Sequence, residues 1–168
     1  MVEQYPPLLV EIKDRHDGVR ERLVLLDQVL REVEFHAVAE KNQTTLRELA
    51  VFFNGELLRL IELEEAIFLP IDTAIHEIGG PVAALRLEHD ELRRLAEVFG
   101  ATVAAFERNE AATIHTLRWC AERLRNLLLV HLEKEETVMF HMAQKVLTAD
   151  DWTEATARAR LGEKEKPC

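Results

Sequence analysis

The sequence of 168 residues contains few residues that interrupt or cross-link a chain: six glycines, five prolines and two cysteines. Scarce glycine and proline disfavour a turn-rich β fold and permit long uninterrupted helices. Cys120 and Cys168 are too few for a disulfide framework and form no CxxC pair, which excludes a cysteine-based zinc finger. No apolar run approaches the roughly 18 residues that a membrane span requires.

Positive charge is also in short supply, with 21 Lys and Arg against 31 Asp and Glu and a formal net charge of −10. Such a charge argues against nucleic acid or an anionic membrane as a partner. The opening residues, MVEQYPPLL, lack the basic segment and apolar core of a secretory signal. We therefore expect a freely soluble cytoplasmic protein. The sequence identifies no protein partner.

Helical periodicity is what the sequence does contain. Apolar residues recur every three or four positions in four segments, at about 8–33, 44–69, 82–106 and 110–147. We expect Pro70 to end the second segment, because proline cannot continue the helical hydrogen-bond ladder. Gly80 and Pro81 then stop one helix and start the next. The fourth stripe is expected to include Val138 and Met142.

The end of the chain adds a shorter element. Thr148 with Asp151 three residues later is typical of a helix cap, and predicts a short fifth helix that ends near Leu161. Short connections make sequential helices antiparallel neighbours. The sequence therefore predicts an all-α, up-down-up-down four-helix bundle with a short C-terminal fifth helix. Residues 1–161 would form one domain, and residues 162–168 a mobile tail.

Five residues in the apolar stripes are polar, and all are of metal-ligating types: His16, Glu64, His89, His131 and Glu135. Burying a carboxylate without a partner costs several kcal/mol, and a bound cation would offset that cost. In an antiparallel bundle their positions fall at the same end of the molecule. Imidazole with carboxylate suits iron, manganese or zinc. The alternative is a metal-free network in which His and Glu side chains pair with each other.

The remaining polar residues suggest nothing more specific. His36, His76 and His115 lie off the stripes, and His141 is at most a neighbour of the site's mouth. The acidic residues beside the inward glutamates are expected to face solvent, as charge runs on helices usually do.

Four pieces of sequence around these residues carry a family resemblance: RHDGVRERL, FFNGELLRLIELEEAIFLP, LEHDELRRL and HLEKEETVMF. From Leu8 to Leu147 the chain resembles the hemerythrin-like (HHE cation-binding) family. That resemblance implies a four-helix bundle with a non-haem di-iron centre, and functions in binding or sensing oxygen, handling nitric oxide or maintaining iron. By position, the resemblance implies that the terminal ligands are His16, His89 and His131. It implies that the bridging carboxylates are Glu64 and Glu135.

The chain departs from the family pattern at two positions. Leu60 stands where the second helix of the family carries the histidine of HxxxE. His141 stands where proline is common. The third helix carries one histidine, with Arg93 a turn after His89, as in the branch of the family that uses HxxxE in the fourth helix. Glu56 lies two turns from Glu64 and is too far away to replace the missing ligand. A mononuclear site or an asymmetric pair therefore stays open beside a full di-iron centre.

Three functions remain open from the sequence. We favour a non-catalytic metal-binding protein that holds iron, or zinc or manganese in its place, together with a small diatomic ligand (O2 or NO). A redox enzyme is the second, and a degenerate, metal-free interaction or regulatory module is the third. A ferritin-like or rubrerythrin-like site is set aside, because no histidine here has a glutamate three residues before it.

Overall fold

The computed structural model describes residues 5–35, 40–75, 80–108 and 113–164, and every regular element within these ranges is a helix. The helices are α1 (Pro7–Phe35), α2 (Glu40–Asn54), α3 (Glu56–Ile75), α4 (Pro81–Glu107), α5 (Thr113–Lys134), a π-helical segment (Glu135–Met139), α6 (Phe140–Val146) and α7 (Ala149–Lys164). The second bundle helix consists of α2 and α3, and the fourth of α5, the π-helical segment and α6. The predicted all-α bundle with a shorter C-terminal fifth helix is confirmed.

The apolar stripes of the helices meet in one core, and α7 packs against α3. The largest fully buried side chains of this core include four phenylalanines: Phe53, Phe68, Phe99 and Phe140. Burial of each such side chain contributes about 1.5–3 kcal/mol relative to leaving it exposed. A core of this kind can accommodate a costly polar layer and still fold. No helix in the described part of the chain is long and apolar enough to span a membrane.

The second bundle helix is interrupted at Gly55, which separates α2 from α3. A Cβ at Gly55 would come within 3.0 Å of the Val51 carbonyl oxygen, so a larger residue requires a shift of the backbone. Beside the interruption, the Asn54 amide donates to the Ala96 carbonyl of α4 at 2.9 Å. A Cβ at Gly100 would lie 3.0 Å from that amide nitrogen. Gly100 thus allows the close approach of α2 and α4 at Asn54.

The prediction that Pro70 ends the second bundle helix is wrong, because α3 continues through Pro70 to Ile75. A proline within a helix costs about 3 kcal/mol through a lost hydrogen bond and a steric clash. Here Pro70 and the next residue, Ile71, are both buried in the core. Burial of this last apolar turn offsets the backbone cost, so the helix runs on.

The π-helical segment changes the register of the fourth bundle helix. The Phe140 amide donates to the Glu135 carbonyl, five residues back, so the turn contains one more residue than an α-helical turn. Val138, predicted to be inward, is 47% exposed, and Met139 beside it is fully buried. Downstream, Ala143 takes the buried position that was predicted for Met142. The predicted stripe is therefore wrong beyond Glu135.

The predicted cap of the fifth helix is present. The Asp151 carboxylate accepts from the Thr148 amide at 2.8 Å, and the Asp151 amide donates to the Thr148 hydroxyl at 3.3 Å. Helix α7 continues to Lys164, beyond the end predicted near Leu161, and so includes the first residues of the predicted tail. Residues 165–168 lie outside the described residues, as does the predicted start of the fourth helix near residue 110.

Candidate metal centre

The five polar residues of the apolar stripes lie together in one buried layer, and none is more than 1% exposed. They come from all four bundle helices: His16 from α1, Glu64 from α3, His89 from α4, His131 from α5 and Glu135 from the start of the π-helical segment. Helical packing alone therefore brings together three imidazoles and two carboxylates that are distant in sequence. The expected convergence on one layer is what the structure contains.

Each of the two buried carboxylates lies between the histidines. Oε1 of Glu64 is 2.9 Å from Nε2 of His16, and its Oε2 is 3.2 Å from Nε2 of His89. Oε2 of Glu135 is 3.2 Å from Nε2 of His16, and its Oε1 is 3.7 Å from Nε2 of His131 and 3.8 Å from Nε2 of His89. Each carboxylate thus turns one oxygen toward His16 and the other toward His89, and the second oxygen of Glu135 also faces His131.

Aromatic neighbours fix the planes of two imidazoles. Phe140 stacks on His16 with ring centroids 5.5 Å apart, and Phe68 stacks on His89 at 5.2 Å. His89 and His131 approach each other directly, with 3.1 Å between their Nε2 atoms. Because two ring nitrogens at that distance share one hydrogen, one donates and the other accepts. All three histidines therefore direct Nε2 into the layer.

The outer nitrogen of each histidine, Nδ1, contacts a carboxylate from another element of the bundle. The pairs are His16 with Glu136 at 3.0 Å, His89 with Glu65 at 3.1 Å, and His131 with Glu88 at 2.9 Å. In metalloproteins, a carboxylate on the outer nitrogen fixes the tautomer that offers the other nitrogen to a metal, and raises ligand basicity. These three carboxylates are about 17–30% exposed, so they lie at the edge of the layer.

Each of these carboxylates is also paired with a cation, and we call the three pairs the outer ion pairs. They are Arg20 with Glu136 at 2.8 Å, Arg93 with Glu65 at 2.9 Å, and Lys134 with Glu88. In every case the cation follows the histidine by one helical turn, on the same helix. In each case, a histidine and a cation of one helix thus bind the same carboxylate from a neighbouring helix.

The expectation that these acidic neighbours simply face solvent is wrong for Glu65 and Glu136. Both follow an inward glutamate directly, and Glu88 directly precedes His89. The missed signal was a basic residue one turn after each inward histidine, since a cation there lies on the same face.

The charges of the layer show what holds it together when no metal is bound. Although burial acts in the opposite direction, contacts with Glu135 and Glu64 raise the pKa of His16 to about 10. Likewise, against the effect of burial, Glu64 and Glu65 raise the pKa of His89 to about 9. Burial lowers the pKa of His131. At neutral pH, His16 and His89 therefore carry protons and face the ionised Glu64, and His89 donates to His131.

Glu135 is the member of the layer whose oxygens lack a well-formed hydrogen bond, although its Oε2 lies 3.2 Å from Nε2 of His16. Neither of its carboxylate oxygens accepts a hydrogen bond from the described residues. Burial and the neighbouring charge of Glu64 raise the pKa of Glu135 to about 8. One ligand atom each from Glu64, His89, His131 and Glu135 lies within 4.8 Å of the others. A transition-metal cation fits this donor set and would supply the partner that Glu135 lacks.

The other residues singled out in the sequence lie apart from the layer or offer it no donor. Leu60 is buried in α3, one turn before Glu64, and carries no lone pair. His115 is exposed. His141 is also exposed and donates from Nδ1 to the Glu136 carbonyl at 3.2 Å, so it adjoins the rim. Glu56 pairs with Arg15 at 3.3 Å. His36 and His76 lie outside the described residues.

Comparison with known proteins gives one finding, a family match. The sequence pattern of the Hemerythrin HHE cation binding domain matches residues 7–143. No curated protein and no solved structure shows significant similarity to the chain. The match covers most of the chain and includes every helix that contributes to the buried layer. The chain therefore belongs to the hemerythrin HHE cation-binding domain family.

Proposed function

We propose that the protein binds two transition-metal ions, in the first place iron, and that it holds them for a small diatomic ligand (O2 or NO) or for iron handling, without catalytic turnover. One observation carries the proposal. Glu64 and Glu135 each turn their two oxygens toward different histidines, as carboxylates shared between two ions do. His16 would serve one ion, and His89 with His131 the other.

The donor chemistry favours iron over calcium or magnesium, which prefer oxygen ligands alone. Zinc and manganese accept the same imidazole and carboxylate donors. Bound iron would supply a Lewis-acidic, redox-active centre with positions that the protein does not fill. The chain's own contribution is to bury the layer, to fix the imidazole planes with Phe68 and Phe140, and to hold Nδ1 through the outer ion pairs.

The first test is metal content. We expect the protein, purified without chelator or added metal, to carry one to two ions per chain, mainly iron, by elemental mass spectrometry. An optical spectrum of the oxidised protein, with and without nitric oxide, would then report ligand binding. Turnover with a reductant and peroxide would instead support a redox enzyme. Protein that holds no metal and takes up no Fe(II) at micromolar concentration would contradict the proposal and favour the metal-free module.

The outer ion pairs give a second prediction. Glu88→Gln removes the carboxylate that His131 and Lys134 share, and we expect it to weaken metal binding by about 10–100-fold, as loss of such outer partners does. Glu91→Gln is the matched control. Glu91 lies on the same helix and pairs with Arg94 and Arg123, but contacts no histidine. Equal affinities of the two variants in metal titrations would mean that the outer pairs do not position the ligands.

A further inference from the structure

We infer that the two metal positions of this chain are unequal: one retains its ion, and the other, beside His16, exchanges it. This inference rests on the proposed metal binding and adds that the two positions differ in how fast they exchange their ions. A retained ion would keep the buried carboxylates satisfied. The exchanging ion is a divalent transition-metal ion that the protein can pass on or take up.

The donors on the two sides differ in number. On the side of His89 and His131, the protein offers two imidazole nitrogens, one oxygen of Glu64 and one oxygen of Glu135. Those four residues form the cluster whose ligand atoms lie within 4.8 Å of one another. Four protein donors are what a closed, structural site of a transition metal uses.

On the other side His16 is the single imidazole, and it faces one oxygen of each carboxylate. Three protein donors are typical of an open site, in which the remaining position goes to water or an external ligand. A position with one imidazole fewer binds its ion less tightly and exchanges it faster.

Leu60 explains why the His16 side has only one imidazole. Leu60 and Glu64 lie in the same uninterrupted helix, α3, four residues apart, so they occupy one face a turn from each other. Leu60 is 2% exposed, which places the side chain in the interior of the bundle. A histidine at this position would be able to reach an ion held by Glu64, whereas a leucine cannot coordinate.

No other described residue of α3 supplies the missing donor. Glu56 is the nearest carboxylate before Leu60 on that face, and its side chain is 56% exposed and pairs with Arg15 of α1. Arg93, one turn after His89, is a cation held by Glu65 and is no ligand. The histidine missing at Leu60 therefore leaves the His16 side with a single imidazole.

The experiment is a metal titration followed by chelator challenge of the full chain, with zinc as the probe and elemental mass spectrometry as the readout. We expect wild-type protein to bind one zinc tightly and a second roughly 100-fold more weakly, since even the loss of a residue that only supports a ligand costs about 10–100-fold in metal affinity. After dialysis against EDTA the wild type should keep one ion. Leu60→His should bind two tightly and keep both.

Leu57→His is the matched control. Leu57 is also fully buried in α3, but it lies one turn further from Glu64, so a histidine there carries the same burial cost without reaching the layer. This variant should keep one ion, like the wild type. Equal retention by Leu60→His and Leu57→His would overturn the inference.

Two histidine variants of the layer test the same inference without relying on Leu60. His16→Ala should keep the retained ion, and His131→Ala should lose it. Release of two ions at one rate from the wild type, or loss of all zinc in His16→Ala, would overturn the inequality. Absence of any bound zinc in the wild type would instead refute the proposed metal binding itself.

Discussion

Replacing Glu135 by Gln should raise the melting temperature of the metal-free protein and lower that of the metal-loaded protein. Without metal, the Glu135 carboxyl is fully buried and its oxygens accept no hydrogen bond from the described residues. Its pKa, raised to about 8 by burial and by Glu64, means that folding must protonate it at neutral pH. A neutral amide of the same shape avoids that cost.

We expect Glu135→Gln to stabilise the metal-free protein by about 1–3 kcal/mol, since replacing buried ionic groups by neutral residues of similar volume often stabilises a fold, by up to about 4 kcal/mol. At roughly 2–4 °C per kcal/mol for a chain of this size, calorimetry resolves the change. With metal, the variant would lose the carboxylate that both ions share in the proposed site. Tight binding contributes about 4 kcal/mol when the free metal is 1,000 times its Kd, and most of that would disappear.

Glu133→Gln is the control, since Glu133 is exposed and lies two residues before Glu135. It should change stability by less than about 0.5 kcal/mol with or without metal. The informative contrary result is a metal-free Glu135→Gln protein that melts below the wild type. That result would mean that the carboxylate stabilises the fold by pairing with histidines, and that the layer is a polar network in its own right.

Stability should also depend on pH in opposite directions with and without metal. His16 and His89 have pKa values of about 10 and about 9 in the folded protein, above the ordinary 6.5. Groups with raised pKa values stabilise the fold below pH 6.5 and lose that contribution as the pH rises through 9–10. Glu135 acts in the same direction, since its raised pKa also makes the folded state hold a proton that the unfolded state releases.

The metal-free protein should therefore lose at least about 1 kcal/mol per pH unit between pH 6.5 and 8.5. Metal affinity should rise over the same interval, because ions and protons compete for the same Nε2 atoms, and metal uptake should release protons. Melting curves in chelator and in zinc, together with calorimetry in buffers of different ionisation enthalpy, measure both trends. His115→Gln, at an exposed position, is the control, and His16→Gln should flatten the metal-free slope.

The bundle and the polar layer could be predicted from the sequence because both depend on helical periodicity alone. His16, Glu64 and His89 lie in stripes where every third or fourth residue is buried, and the structure keeps that spacing. The position of each residue along its helix, in a bundle of antiparallel helices, then places all of them at the same end of the bundle. Their role as metal ligands stays a prediction, although the unsatisfied Glu135 supports it.

The features that could not be predicted depend on contacts between helices, which a periodic pattern within one helix does not contain. Pro70 continues a helix because its neighbours are buried, and burial is a property of the packed bundle. Glu65 and Glu136 resemble any other solvated acid until the helices bring His89 and His16 beside them. Tertiary contacts therefore decided each of these positions, which is why local sequence was misleading there.

The π-helical segment at Glu135–Met139 also has an evolutionary consequence. A π turn contains one residue more than the α turn it replaces, so a single-codon insertion is the simplest route to it. Homologous chains without that codon would continue as an ordinary α-helix past Glu135, and the residues that align with Met139 and Phe140 would keep their buried positions. An alignment of relatives should therefore open a one-residue gap within residues 136–139, and the residue aligned with Phe140 should cover the histidine at the His16 position with or without that gap.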